Sequence, residues 1–286
     1  MFFKKMLILI FIFFITAGIL YADDKKEPLR IGIGSMISPQ ETINVYQEIL
    51  YYVGEKLDRP VDIVQRKTYK EMDDLLEKRN IDIAFVCSGP YVEEHDKFGV
   101  EILAAPQAYG KCVYNSYIIV NANSLIKNFD ELKGRSFAFT DNESHTGYTI
   151  PVYMLLKMGQ TPESFFSKSI YSGNHEESIK LVAEKNIDGA SVHNLIWEYL
   201  NKANPKLTSQ TKIIAKSDPY CMPPVVVNPA MDPDLKNQLR AVFLNMHNDE
   251  HGRNILAKVN IDKFVITKDS DYNSIREMKN EIKNKK

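Results

Sequence analysis

Three cysteines and one tryptophan are spread over 286 residues. So few thiols exclude a disulfide scaffold. Cys87, Cys112 and Cys221 allow at most one bridge and one leftover thiol, and their spacing does not say which. The sequence has no glycine-rich phosphate loop, no dinucleotide fingerprint and no nucleophile elbow of the G-x-S-x-G type. Nothing therefore marks a nucleotide-dependent enzyme or a serine hydrolase. Neither charge sign dominates, with 36 Lys and Arg against 37 Asp and Glu. That balance is not the footprint of a nucleic-acid-binding protein. After the first residues no apolar run approaches the roughly 20 residues that a spanning helix needs. No catalysis and no cofactor are expected.

What is present begins at the amino terminus. Lys4 and Lys5 precede an apolar run over residues 6–20, and Tyr21-Ala22 precede Asp23-Asp24-Lys25-Lys26. A basic start, a short greasy core and a small residue at a plausible cut read as a signal peptide over residues 1–22. No Cys lies near the cut, so a lipid anchor is not indicated. The expectation is a freely soluble, monomeric protein exported to the periplasm. The remaining chain suffices for one large or two medium α/β domains.

Residues 29–34 and 61–65 read as strands. Residues 40–57, with Ile43, Tyr46, Leu50 and Val53 on one face, and 69–78 read as helices. Residues 81–86 read as a buried strand. Strand, helix, strand, helix predicts parallel pairing with right-handed crossovers. Residues 112–120 form a long β-rich run, and helices dominate from Asp232 onward. The lysine-rich end, residues 279–286, is expected to fray into solvent.

The stretch Phe137 to Gly159, FAFTDNESHTGYTIPVYMLLKMG, holds most of the chemistry. A short strand turns through Asp141 to Gly147 into a helix with Pro151 in its first turn and Gly159 as a stop. Free N–H groups and the helix dipole at such a turn favour an anion, and Ser144 and Thr146 add hydroxyls. The same features also describe an ordinary capped helix.

One internal echo organises the rest. Residues 68–89 and 174–195 align without gaps, each with a polar helix start, an amphipathic helix and Asn-Ile-Asp opening a buried strand. Tyr69 falls opposite His175, and Ser88 opposite Asn194. Two similar α/β lobes follow, each placing a helix start and a strand's carboxyl end toward a ligand. Their expected extents are residues 27–116 plus 226–286 for the first and 117–225, with hinge strands, for the second. A hinge near residues 117–120 and 221–226 would let the lobes close on one another.

These residues carry a resemblance. Ser38-Pro39-Gln40-Glu41-Thr42, Tyr69 at a helix start, Ile81-Asp82-Ile83-Ala84-Phe85 before Gly89-Pro90, and Tyr114-Asn115-Ser116 are similar to segments of one family. So are Asp141, Ser144 and Gly147 in a D-P-x-S-T-S-G signature, Ser172-Gly173-x-His175, Pro223-Pro224-Val225-Val226, His247 to Gly252 and Ile261-Asp262-Lys263-Phe264. In order and spacing the chain resembles the periplasmic binding proteins for phosphonate, phosphite and phosphate that serve ABC transporters (the PhnD type).

The resemblance implies a type II periplasmic-binding-protein fold, two α/β lobes joined by two crossover strands. It implies that Tyr69, Tyr114, the turn Ser144-His145-Thr146 and His175 hold a small oxyanion for delivery to an ABC-transporter permease. Ser88 and His193, at the strand ends, complete the candidate set. Several donors converging on three oxygens suit such an anion. The chain departs from the family at His145, where a hydroxyl is usual, and at His193-Asn194, where an acid or amide is common. No acid there weakens an aminoalkylphosphonate reading. Related proteins sense oxyanions such as arsenite and signal to a histidine kinase, and Cys87 would then be the thiol near the cleft. Two further readings stand beside these. His145, His175 and His193, with Glu143, are metal-ligand types. His247-Asn248-Asp249-Glu250-His251 fits the H-x-x-E-H zinc-peptidase pattern.

Overall fold

The computed structural model describes residues 26–34 and 39–285. The signal-peptide reading over residues 1–22, and Ser38, lie outside the described residues. The chain begins with β1 (Leu29–Ile33), α1 (Pro39–Leu57), β2 (Val61–Gln65), α2 (Tyr69–Glu77), β3 (Ile83–Phe85), α3 (Ser88–Phe98) and β4 (Glu101–Gln107). It crosses through β5 (Val113–Tyr114) into β6 (Ser116–Asn121) and β7 (Ser136–Phe139). Then come α4 (Ile150–Lys157), α5 (Pro162–Phe165), β8 (Lys168–Tyr171), α6 (His175–Ala183), β9 (Gly189–His193), α7 (Asn194–Ala203), α8 (Pro205–Thr208) and β10 (Thr211–Lys216). It returns by β11 (Tyr220–Cys221) and β12 (Val225–Val227), and ends with α9 (Pro233–Asn245), α10 (Glu250–Lys258), β13 (Lys263–Val265) and α11 (Asn273–Asn284).

Two sheets make two lobes. The first has the order β13-β4-β12-β3-β1-β2, and the second β10-β6-β9-β7-β8. Pairing is parallel where strands and helices alternate, as expected: β1 with β2 and β3, and β7 with β8 and β9. The strands that arrive from the other lobe run antiparallel, as β12 does to β3 and β4. A strand entering its sheet from the opposite end has no other direction available.

Helices cover both faces of each sheet, so the central strands are apolar on both sides. The period of two is visible in the cores. Ile83, Phe85, Val225 and Val227 pack with Leu50 and Phe243 on one face of the first sheet. Ala84 and Val226 pack with Met72 and Tyr91 on the other. In the second lobe Phe137 and Phe139 join Phe129 and Phe166, while Ala138 and Val192 join Ile179 and Val182.

Two expectations need correction. Residues 117–120 are not a hinge: they lie inside β6, bonded to β9 on one edge and β10 on the other. A strand paired on both edges cannot bend without breaking its ladder. The crossing instead uses a two-stranded ribbon, with Tyr114 opposite Tyr220 and Val113 opposite Cys221. The lysine-rich end is not frayed either. In α11, Ile275 and Met278 are buried, Lys279 Nζ lies 3.0 Å from Glu93, and Glu281 accepts from Tyr153 Oη at 3.1 Å. Glu93 belongs to the first lobe and Tyr153 to the second, so α11 touches both.

Candidate functional site

The turn after β7 is built before it is functional. Ser144 caps the following helix, its Oγ accepting from Gly147 N–H at 3.0 Å. The helix opens as a wide π turn over His145–Thr149 and then tightens into α4. Pro151 sits in the first turn of α4, as expected from the sequence. Its ring nitrogen cannot donate to Gly147 O, and Thr140 N–H on the neighbouring segment supplies that bond at 3.3 Å. Gly147 is required there: a Cβ would meet Thr140 Oγ1 at 1.7 Å. Strands β6 and β9 pin the turn from below. Ser116 Oγ donates to Thr146 O at 2.9 Å and Ser191 Oγ donates to the same oxygen at 2.5 Å.

The first lobe closes directly onto this turn. His145 N–H donates to Cys87 Sγ at 3.4 Å. A Cβ on Gly89 would meet Glu143 O at 2.7 Å, so the glycine lets the lobes approach. The Tyr69 N–H, at the start of α2, faces the Asp141 carboxylate of the other lobe.

All eight predicted residues are buried where the two lobes meet. Tyr114 Oη, Thr146 Oγ1 and both ring nitrogens of His145 are buried with no protein hydrogen-bond partner. Buried polar atoms are nearly always paired, so these four make the region the candidate ligand seat. The Tyr114 ring lies 4.5 Å from that of His193 and 6.1 Å from that of His145. His175, the first residue of α6, lies 5.8 Å from His193, ring to ring. Tyr69 is buried at the start of α2 and packs with Cys87.

Hydrogen bonds set the imidazole tautomers. His175 Nδ1 accepts from His193 N–H at 3.1 Å, and His193 Nδ1 accepts from Leu195 N–H at 3.1 Å. Each Nδ1 is an acceptor, so each ring carries its proton on Nε2 and offers it as a donor. Burial pushes His145 and His175 down to about 3, with the Lys279 charge adding to the effect on His145. His193 is held well below its ordinary value by burial and then by the two other histidines. Burial acts oppositely on the phenols, raising Tyr69 and Tyr114 well above the ordinary range. The seat is thus lined by neutral dipoles.

Ser88 lies beside the Tyr114 hydroxyl and also has a structural partner. Its hydroxyl donates to Cys221 O at 2.9 Å and ties α3 to the crossover ribbon. Thr140 was missed: its Oγ1 is buried without a protein partner. The signal that would have found it is the glycine opposite, since Gly147 is demanded by the Thr140 side chain. Lys279, whose charge bears on His145 and Cys87, had no local signal at all.

The rival readings fare poorly. His247 lies in a separate 3₁₀ turn, and Asp249, extended at φ −103°, ψ 158°, caps a new helix starting at Glu250. His247 and His251 therefore do not share one helix face, and the zinc-peptidase spacing is broken. Glu143 is turned toward the Asp73 and Glu93 carboxylates rather than the histidines. Among the described residues no group of three or more His, Cys, Asp or Glu side chains could hold a metal ion. All three cysteines are free thiols.

Known proteins carry the same pattern. The sequence model of the family described as "ABC transporter, phosphonate, periplasmic substrate-binding protein" matches residues 31–272. The phosphonates-binding periplasmic protein of Escherichia coli K12 is 24% identical over 263 residues, covering 90% of this chain and 78% of that protein. The crystal structure of a binding protein of an ABC phosphonate transporter from Pseudomonas aeruginosa superposes with a TM-score of 0.85 at 25% identity. That match covers 91% of this chain and 87% of the other. PhnD1 of Prochlorococcus marinus, solved in complex with methylphosphonate, gives a TM-score of 0.83 at 20% identity over 91% and 99% of the two chains. The family is one of substrate-binding proteins and not of enzymes, in line with the expectation of no catalysis, and it is periplasmic. This chain belongs to the periplasmic substrate-binding proteins of phosphonate ABC transporters.

Proposed function

We propose that the protein captures a small oxyanion of the phosphonate, phosphite or phosphate class between its lobes and delivers it to a transporter permease. The observation that carries this reading is the set of four buried, unpartnered polar atoms on Tyr114, His145 and Thr146, in the region of the His175 and His193 rings. Ser144 and Tyr69 add hydroxyls from the turn and from the opposite lobe. No Lys or Arg stands among these side chains, so the ligand supplies the charge and the protein supplies dipoles. Hydrogen bonds to a charged group are worth about 1.5–3 kcal/mol each. Several of them, set against the cost of closure, support micromolar or tighter binding.

In this reading residues 1–22 are an export signal and the mature protein works as a monomer. The lobes are 27–116 plus 226–286, and 117–225, the ribbon between them acting as the hinge. The test is a thermal-shift panel of methylphosphonate, phosphite, phosphate, sulfate and divalent metals. A phosphorus oxyanion at about 100 times its Kd adds about 2.7 kcal/mol to stability. A panel in which only a metal raises the Tm would sink the proposal.

A further inference from the structure

An apolar cavity of about 80 Å³, measured to the centre of a water-sized sphere, opens between the lobes beside the oxyanion seat. Phe85 and Pro106 wall it from the first lobe, Leu195 and Ile196 from the second, and Met222 from the crossover. Among the described residues no Asp, Glu, Asn, Gln, Lys or Arg lines it. Its polar groups are the His193 ring and the phenols of Tyr46 and Tyr199.

The cavity and the seat share walls on both sides. His193 lines the cavity while its ring packs 4.5 Å from Tyr114, whose hydroxyl is one of the unpartnered atoms of the seat. On the opposite lobe Tyr69 and Cys87 pack against Tyr46 and Ile196, which both line the cavity. An anion held at the seat therefore has its remaining substituent directed along an apolar wall. A water-sized position takes about 10–15 Å³ on this measure, so the space admits several carbon atoms. An ammonium group there would lose its hydration, and none of the described lining residues offers a carboxylate to replace it. An alkyl chain would instead leave water for a surface of its own kind.

Resting on the phosphonate reading above, we propose that the preferred ligand is a phosphonate with an apolar alkyl or aryl substituent, housed in this cavity. Inorganic phosphite leaves the cavity unused, and an aminoalkylphosphonate places a charge in it.

The experiment is isothermal titration of the mature protein with phosphite and with methyl-, propyl-, butyl-, phenyl- and 2-aminoethylphosphonate. Affinity is expected to rise roughly fourfold per methylene from methyl to butyl, the gain from burying one CH₂. The aminoethyl compound is expected to bind at least about tenfold more weakly than propylphosphonate, which has the same heavy-atom count. A flat or falling alkyl series, or aminoethylphosphonate as the tightest ligand, overturns the proposal while leaving the oxyanion reading intact. Failure of every phosphonate to bind overturns both. A variant sharpens the result. Leu195→Asp places a carboxylate in the first turn of α7, where the helix dipole tolerates it. It should weaken butylphosphonate, strengthen aminoethylphosphonate and reverse their order. An unchanged order in a folded variant counts against the cavity as the substituent's place.

Discussion

The unit running from α2 through β3 and the unit running from α6 through β9 share a backbone plan and differ in chemistry. Thr68 caps α2, accepting from Glu71 N–H at 3.2 Å, and Asn174 caps α6, accepting from Glu177 N–H at 2.9 Å. The first helical residue is Tyr69 in one and His175 in the other. Strand β3 leads to Cys87, the cap residue of α3, and β9 ends at His193, the cap residue of α7. The first lobe thus presents a phenol and a thiol, and the second presents two imidazoles. Burial raises the acids and lowers the bases, so the two chemistries arrive at the same outcome: groups that stay neutral around neutral pH. The second lobe also owns the turn Ser144-His145-Thr146. In the proposed function it carries most of the donors, while the first lobe offers the hydroxyls of Tyr69 and, at the crossover, Tyr114.

That asymmetry is breakable. His175→Ala should cost the most, about 100-fold in methylphosphonate affinity by calorimetry. It removes a donor to a charged ligand, worth up to about 3 kcal/mol, and frees the His193 backbone that His175 Nδ1 accepts from. Tyr69→Phe removes one hydroxyl from the first lobe and should cost about tenfold. If the tyrosine change proved the more damaging, the anion would sit on the first lobe and the comparison would invert.

The plan of the two units was legible because it is local. Capping residues, helix periodicity and apolar strand ends all act over a few residues, so α2, β3, α6 and β9 could be read from residues 68–89 and 174–195. The order of polar signatures also made Tyr69, Tyr114, Ser144, Thr146 and His175 readable as one set. What was not legible depends on distant partners. Ser88 looked like its counterpart Asn194, yet its hydroxyl is taken by Cys221 O, 133 residues away. Lys279 looked like part of a solvated tail, yet it reaches Gly89 O at 3.4 Å across 190 residues. The β-rich run over residues 112–120 gave no sign that Val113 and Tyr114 pair with β11 while residues 116–120 pair with β9 and, from Tyr117 on, β10. Pairing is decided by which strands return beside it, and residue type does not record that.

A third region contrasts with the neutral seat. Asp73 of α2, Glu94 of α3 and Glu143 of the facing turn crowd where the lobes meet. Both Glu94 carboxyl oxygens are buried without a partner. Burial first, and then the neighbouring carboxylates, push Glu143 up to about 7 and raise Asp73. Burial likewise raises Glu94. A carboxyl raised in the folded state holds a proton that the unfolded chain sheds at its ordinary value near 4.5. Stability from Glu143 therefore falls as pH rises from there through about 7, and Asp73, raised to about 9, extends the fall to about that pH. The histidines act oppositely: lowered in the folded state, they make stability rise with pH between about 3 and 6.5 and contribute no slope above it. Between about pH 7 and 9 only the carboxyl slope remains, and the Tm should fall by a few degrees in differential scanning calorimetry. Asp73→Asn should flatten that fall, whereas Glu143→Gln should act mainly below about pH 7. A Tm that holds steady across the range would show that these carboxyls are solvated or ionised in the folded protein.

The smallest effect tests the shared plan itself. Thr68→Ala and Asn174→Ala each remove one side-chain acceptor from a helix start, and each should cost about 1 kcal/mol of stability. In a chain of this size that is a shift of roughly 2–4 °C in Tm. The two losses should be alike, because the capping geometry is alike. They should part company in ligand affinity. Asn174→Ala loosens the turn that sets the His175 ring, so methylphosphonate binding should weaken along with stability. Thr68→Ala loosens only the start of α2, which contributes the Tyr69 hydroxyl, and binding should change less. Equal losses of affinity in the two variants would mean that the lobes share the anion evenly, and that the chemical divergence of Tyr69 from His175 does not divide the work of binding.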